Sequence, residues 1–486
     1  MRFFTTVAFP ARAPRHVAAF AALACALNAV AAPAPAADAQ AAQLSQIREA
    51  AMGSDWAYQR LSDMTDLIGP RLSGSPGAAA AVEQVATAMR ALGARVTLQP
   101  VTVPHWVRGV ETGELVEYAG RPAGVSQRVV LTALGGSGAT AAAGLRAPVL
   151  VVRGFEELKA RAAEVKGRIV LFDVAFDKGM AERGQASAAY GGVVPFRVLG
   201  PKLAAEMGAA AALVRSVGSA DFRLPHTGAS ALSEALRIPA AAVSVEDAML
   251  ISRLAARGPV QMLLTLTPQN LPDVDSYNVI ADLPGSDKAD EVVLVSGHLD
   301  SWDLATGAND DGAGVASAMA VIETLKRLKL QPRRTIRMVA WMNEENGGRG
   351  GRAYFDAHRA DLARHVAAIE SDSGSGRPFG IMASVGPGMD KLFAPLQTAL
   401  QPIGAHAFSR RDALSTGDLF ALETGGVPSF EPIVDGHDYF YYHHSAADTL
   451  DKVDPDNLRR HVALLSTLSW YLANMTQPIG RAPAQQ

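Results

Sequence analysis

Val292-Val293-Leu294-Val295-Ser296-Gly297-His298-Leu299-Asp300 is the stretch on which the reading of this chain turns. Four β-branched or Leu residues in a row, with no polar alternation, fit a strand buried on both faces. A helix is predicted after it, because Val315, Ala318, Met319, Ile322 and Leu325 recur at the helical period. Residues 335–341 and 366–369 are two more buried-strand runs. Buried strands alternating with helices predict an α/β fold, a sheet covered by helices on both sides.

The polar residues of this half gather where the strand runs stop. Residues 292–295 lead into His298 and Asp300, 335–341 into Asn343-Glu344-Glu345, and 366–369 into Glu370-Ser371-Asp372. In open α/β sheets, ligands bind outside the carboxyl ends of the strands. Clustered carboxylates repel one another there unless a cation neutralises them. Gly307-Ala308-Asn309-Asp310-Asp311-Gly312-Ala313-Gly314 follows the first strand, and its glycines allow an Asp to point back over the strand ends. His443-His444-Ser445-Ala446-Ala447-Asp448-Thr449 adds imidazoles. His and carboxylates without thiolates suit zinc, with manganese or cobalt as competitors. Taken singly, Asp310-Asp311 reads as a helix N-cap, Glu344-Glu345 as a solvated turn, His298 as a core imidazole and the His pair as surface residues. Their joint order points to a metal hydrolase. No Gly-x-Ser-x-Gly elbow supports a serine hydrolase.

The remainder bounds the architecture. A chain of 486 residues exceeds one core. Its net charge of −3 and scattered Lys and Arg give no basic stripe, so no nucleic-acid partner is expected. Arg2, Arg12 and Arg15 precede an apolar run at 17–32 and small residues at 31–37, the parts of a secretory signal over 1–37. The run is too short and too weakly apolar for a membrane span. The mature chain is therefore expected to be periplasmic or secreted, with no transmembrane span. Cys25, the only cysteine, falls inside this segment and reads as one of its apolar residues rather than a lipid anchor. Residues 38–108 read as helix, loop, helix and strand, the second helix at 78–92 ending at Gly93 and the strand covering 95–103. Residues 109–271 are rich in Gly and Ala. Strand-like runs at 149–152, 168–172 and 211–214 alternate there with helix-like runs at 156–163 and 201–207. Pro272 and the polar residues after it end this segment. Arg410 and Arg411 are candidates for holding a substrate carboxylate, although loop arginines are usually just solvated.

The order Gly-His-x-Asp, Asp-Asp-Gly-x-Gly, Glu-Glu, Glu-Ser-Asp and His-Ser-x-x-Asp-Thr resembles that of the zinc aminopeptidase and glutamate carboxypeptidase family of co-catalytic metallopeptidases, peptidase family M28. Ile68-Gly69-Pro70-Arg71-Leu72-Ser73-Gly74-Ser75, Val103-Pro104-His105-Trp106, Arg215-Ser216-Val217, Pro225-His226-Thr227-Gly228, Ser244-Val245-Glu246-Asp247-Ala248 and the run on to Ser301-Trp302-Asp303 extend the resemblance over nearly the whole mature chain. The resemblance implies a three-layer α/β/α zinc-peptidase sandwich built from 38–108 and 272–486, with 109–271 as an inserted protease-associated-type domain. It also implies two zinc ions per chain and a homodimer. His298, Asp310, Glu345, Asp372 and His444 would be the metal ligands, with Asp310 bridging. Glu344 would be the general base, and Asp300 a carboxylate that orients His298. The residue before the last ligand is Tyr in glutamate carboxypeptidase relatives, where it supports the oxyanion. Here it is His443, which would either take that role or simply pack. Asp448 would hold the turn. The implied activity is metal-dependent exopeptidase cleavage of small peptides, at dipeptides or C-terminal residues. N-terminal aminopeptidase action on the same scaffold is the alternative, and a binding protein with a decayed site a more distant one.

Overall fold

A computed structural model describes residues 36–414 and 417–481. The expected export signal over 1–37, with Cys25, lies outside the described residues except for its last two positions. Val293 and Val295 point into one apolar core, and Val292 and Leu294 into another on the opposite face. That is the period-two alternation of a strand with both faces covered. This strand, Lys288–His298, lies inside an eight-stranded sheet. The strands run in the order Arg95–Val107, Gln269–Leu283, Arg334–Trp341, Lys288–His298, His365–Glu370, Ser429–Val434, Pro378–Ser384 and Ala407–Arg411. The four strands from Arg334–Trp341 to Ser429–Val434 are mutually parallel.

Helices cover both faces. Trp56–Leu67, Pro76–Ala91, Ala313–Arg327 and Pro455–Asn474 bury their apolar residues in the larger core. Arg349–His358 and Phe420–Thr424 close the other face through Tyr354 and Leu422. From Lys288–His298 the chain crosses to Arg334–Trp341 on one side, then to His365–Glu370 on the other. Such a reversal of strand order opens a crevice at the carboxyl ends of the strands. His298, Glu344, Glu345 and Asp372 all follow those ends.

A second eight-stranded sheet is built from strands between Glu111 and Leu266. Its parallel middle is Leu145–Val152, Ile169–Phe172, Ala211–Arg215 and Ala240–Val243. The chain leaves the first sheet after Arg95–Val107 and returns along Gln269–Leu283, its antiparallel partner. Two contacts tie the sheets together beside the crevice. Arg108 forks onto Asp303, Nε to Oδ2 at 2.8 Å and Nη2 to Oδ1 at 2.6 Å, and also reaches Glu111 at 2.7 Å. Trp106 and Trp302, both carried by the first sheet's chain, enter the second sheet's core together, edge to face with centroids 6.4 Å apart.

Some elements differ from the sequence reading. The loop expected between the first helices contains a further helix, Trp56–Leu67. The Pro-Asp-Val-Asp-Ser run is part of the long strand Gln269–Leu283. Pro272 is tolerated there because the register slips between Val103 and His105, leaving no ladder bond for the missing N–H. The helix expected at 156–163 is broken into Phe155–Ala160 and Ala162–Val165.

Replacing Arg108 with Met strands two part-buried carboxylates, Asp303 and Glu111. The expected loss is about 3 kcal/mol, typical of breaking a buried pair from one side. A fall in the urea midpoint checks it; an unchanged midpoint counts against the pair as a tie between the sheets.

Candidate metal centre

His298 ends its strand and is fixed from behind. Its Nδ1 bonds the main-chain carbonyl of Asp300 at 2.9 Å, so Nε2 faces the crevice. There Nε2 lies 3.1 Å from Asp310 Oδ1 and 3.3 Å from Asp372 Oδ1. The other oxygen of Asp310 turns to the histidine pair: Oδ2 lies 3.4 Å from His443 Nε2 and 3.3 Å from His444 Nε2. His444 Nε2 also lies 2.9 Å from Glu345 Oε2. Asp310 therefore stands between two half-sites, His298 with Asp372 and His444 with Glu345. The local backbone permits this approach. A Cβ on Gly314 would lie 2.0 Å from the Ser371 carbonyl, and one on Gly297 would lie 2.5 Å from Asp311 Oδ2.

Asp300 acts differently from the expectation. Its main-chain carbonyl, not its carboxylate, orients His298. The carboxylate accepts from Asn343 N at 2.7 Å, Glu344 N at 3.1 Å and Ser73 Oγ at 2.7 Å. The reason is geometric: Asn343 sits at φ +76°, a conformation costly for a residue with a side chain, and Asp300 holds that bend. The bend sends Glu344 and Glu345 into the crevice. Asp448 holds the neighbouring turn, accepting from Asn309 N at 2.7 Å and Asp310 N at 3.1 Å. Asp311 is structural too, accepting from His298 N at 3.0 Å and Gly314 N at 3.1 Å.

The charge balance of the crevice calls for a cation. Asp310 Oδ2 and Glu345 Oε1 are buried and accept no hydrogen bond. Burial and neighbouring carboxylates hold Glu344, Glu345 and Asp310 above the ordinary carboxylate range. Burial alone would depress His298, but Asp372 and Asp310 overcome it and hold the imidazole well above its usual value. Burial, with His226 and Arg197 nearby, pushes His443 well down; burial, His443 and Arg197 do the same for His444. Two sets of potential ligand atoms, His298/Asp310/Glu345 and His298/Asp311/Asp372, each lie within 4.8 Å of one another. Imidazoles beside carboxylates without donors are a donor set that fits divalent ions of the zinc type.

Several residues that the sequence reading left without a role complete the site. Arg71 is fully buried, and its guanidinium donates to the carbonyls of Leu299 at 2.8 Å, Gly307 at 2.9 Å, Gly69 at 3.2 Å and Thr306 at 2.5 Å. It thereby shapes the loop between His298 and Asp310. The segment between the two halves of the first sheet supplies the back of the histidine pair. Thr227 N donates to the His444 carbonyl at 2.8 Å, and the Thr227 carbonyl lies 3.2 Å from His444 Nδ1. Arg197 Nη1 reaches that same carbonyl at 3.2 Å, the Tyr190 hydroxyl at 2.9 Å and His444 Nδ1 at 2.9 Å. His226 Nε2 lies 3.0 Å from His443 Nδ1. The motif containing His226 and Thr227 was the available signal, but nothing in its spacing pointed to the crevice. Arg410 is engaged elsewhere, donating to the Val385 carbonyl at 2.9 Å and Asp412 at 2.8 Å. Arg411 ends an edge strand, and its charge acts on Glu431.

The metal-free protein should lose stability as pH rises. Burial holds Asp418 up at about 8 and Asp448 up at about 7. A carboxyl raised in the folded state contributes fully below its unfolded value of about 4 and loses that contribution as pH climbs through the folded value. The melting temperature of chelator-treated protein is expected to fall between about pH 5 and pH 8, with added zinc flattening the curve. A metal-free curve flat over that range contradicts this charge balance.

Comparison with known proteins agrees with this architecture. Residues 278–469 match the model of peptidase family M28. The chain is 34% identical to human carboxypeptidase Q over 432 residues, 88% of this chain and 87% of that protein. The structure of a peptidase M28 precursor from Shewanella amazonensis superposes with a TM-score of 0.86 at 36% identity, covering 92% of this chain and 100% of the other. A zinc aminopeptidase from Bacillus subtilis shares the fold, with a TM-score of 0.63 at 20% identity over 87% of this chain and 95% of its own. The chain belongs to peptidase family M28 and is a metallopeptidase.

Proposed function

We propose that the protein is a carboxypeptidase Q-like exopeptidase that hydrolyses peptide bonds of small peptides, dipeptides or C-terminal residues, using two zinc ions. The observation that carries this reading is Asp310, set between His298/Asp372 and His444/Glu345 with one oxygen buried and without a donor. His298 and Asp372 would hold one ion, Glu345 and His444 the other, and Asp310 both. When bound, the ions supply Lewis acidity for the attacking water and the scissile carbonyl.

The chain's own residues do the rest. No described residue donates a hydrogen bond to the Glu344 carboxylate, and its main-chain N–H is pinned by Asp300, so the carboxylate is free to take the proton of the attacking water. It then delivers that proton to the leaving amine nitrogen. His443, whose Nε2 faces Asp310 Oδ2, donates to the tetrahedral oxyanion. Arg71 and Asp448 keep the loop around Asp310 rigid, so the ligands need no rearrangement during the reaction.

The same proposal covers the setting of the enzyme. Residues 1–37 direct export and are removed, leaving a periplasmic or secreted chain. Residues 109–271 form an inserted protease-associated-type domain, and the protein works as a homodimer. Among the described residues no helix is long and apolar enough to cross a membrane. The fold shared with a zinc aminopeptidase makes N-terminal cleavage the alternative specificity.

Glu344→Gln is expected to retain its metal content while activity on free dipeptides falls by about two to four decades, as for a lost general base. Wild-type activity within tenfold of the mutant's overturns that role. Chelator should abolish cleavage and zinc should restore it. In a panel of free dipeptides, amino-blocked peptides and aminoacyl amides, cleavage of free dipeptides supports the carboxypeptidase Q-like reading. Turnover of the amides but not of blocked peptides moves the assignment to an aminopeptidase. No cleavage by fully metallated protein returns it to a binding protein.

A further inference from the structure

His226 comes from the segment that carries the second sheet, yet its ring is buried against the histidine pair, 5.1 Å from the centroids of both His443 and His444. Its Nε2 lies 3.0 Å from His443 Nδ1. A neutral imidazole carries one proton, so one of these two nitrogens donates and the other accepts. Both ends of the pair say which. His226 Nδ1 is buried and has no partner. An orphaned N–H there is rarer than an under-used acceptor, so the proton belongs on His226 Nε2. At the other end, His443 Nε2 opens on the crevice, 3.4 Å from Asp310 Oδ2, where an oxyanion donor must carry an N–H. The two requirements agree: His226 donates, His443 Nδ1 accepts, and His443 keeps its proton on Nε2.

The backbone holds this arrangement from both flanks. Thr227 N donates to the His444 carbonyl at 2.8 Å, and Ser219 N donates to the Phe440 carbonyl at 3.0 Å. His226 N is itself fixed by Ser216 Oγ at 3.0 Å. Tyr190, from the same segment, stacks on Phe440 and meets the His443 ring edge-on. The His226–His443 contact is therefore a rigid graft of one sheet's chain onto the other's site.

We infer that His226 is a positioning residue that locks His443 in the Nε2–H tautomer, so that the segment bearing the second sheet sets the hydrogen-bond donor of the reaction. This rests on the metallopeptidase reading of the crevice and on His443 as oxyanion donor. His226, His443 and His444 also lie close enough to suggest a site for a further cation. Arg197 opposes it: its guanidinium is 2.9 Å from His444 Nδ1, so the ion would sit beside a fixed positive charge.

The test uses zinc-loaded full-length protein labelled with 15N-histidine. Long-range 1H–15N correlation, with His443 assigned by the loss of its signals in His443→Gln, reads the tautomer without any substrate. The expected spectrum has His443 protonated at Nε2 and bare at Nδ1. His226→Ala should lower kcat by about 10- to 100-fold, below the loss of an oxyanion donor outright, with KM and zinc content unchanged. His226→Gln, whose amide N–H replaces the donor, should recover most of that rate. A proton on His443 Nδ1 in the wild-type protein overturns the inference. So does a third zinc per chain, or loss of zinc together with rate in His226→Ala. Should the alanine variant fail to fold, the wild-type spectrum still decides. A protein without peptidase activity but with the expected tautomer would fault the proposed reaction and leave the positioning intact.

Discussion

Carboxylates withdrawn from water into one crevice are the constraint around which this structure is organised. Asp310, Glu345, Glu344 and Asp372 converge at the ends of neighbouring strands, and oxygens of the first two have no donor. Burying such groups without compensation costs several kcal/mol each. The surrounding structure supplies only part of what they need. Arg71 spends its guanidinium on main-chain carbonyls, and Arg197 stands behind His444. The remaining compensation is what bound divalent metal provides. The metal site and the stability of the crevice are thus two aspects of one charge balance.

Precision in the crevice comes from buried polar groups at its margins. Asp300, Asp311 and Asp448 are carboxylates near the site that spend themselves on backbone N–H groups. Each holds a turn that presents a neighbour: Asp300 the Asn343 bend, Asp311 the end of the His298 strand, Asp448 the approach to Asp310. The second sheet's segment plays the same part for the histidine pair. His444 sits at φ +55° and is clasped by Thr227 on both its carbonyl and its ring, which offsets the cost of that conformation. Two sheets therefore share one site, tied together beside it by Arg108, which joins Asp303 to Glu111, and by the Trp106–Trp302 pair packed in the second sheet's core.

Local rules made the central strands legible. Residues 292–295 are apolar on both faces because both faces are covered, and the polar residues after them cluster because parallel strands deliver their ends to one edge. The helix Ala313–Arg327 was readable from its spacing. Strand Gln269–Leu283 was not, since its outer part pairs only with Arg95–Val107 and stays polar. The ligand-type residues showed in the sequence as a group, while their supports did not. Arg71, Arg197 and His226 act on residues more than 200 positions away, and nothing local to them records it. Asp300 was picked out, but only the fold shows that its carboxylate serves Asn343 and Glu344 rather than His298.

The central claim is that Asp310 joins two ions into one centre. Anomalous diffraction at the zinc edge, on crystals of the purified protein, addresses it directly. The account requires two peaks flanking Asp310, one against His298 and Asp372 and the other against Glu345 and His444, separated by about 3.5–4 Å as in other paired-metal sites. A single peak, or zinc lying away from Asp310, would contradict it.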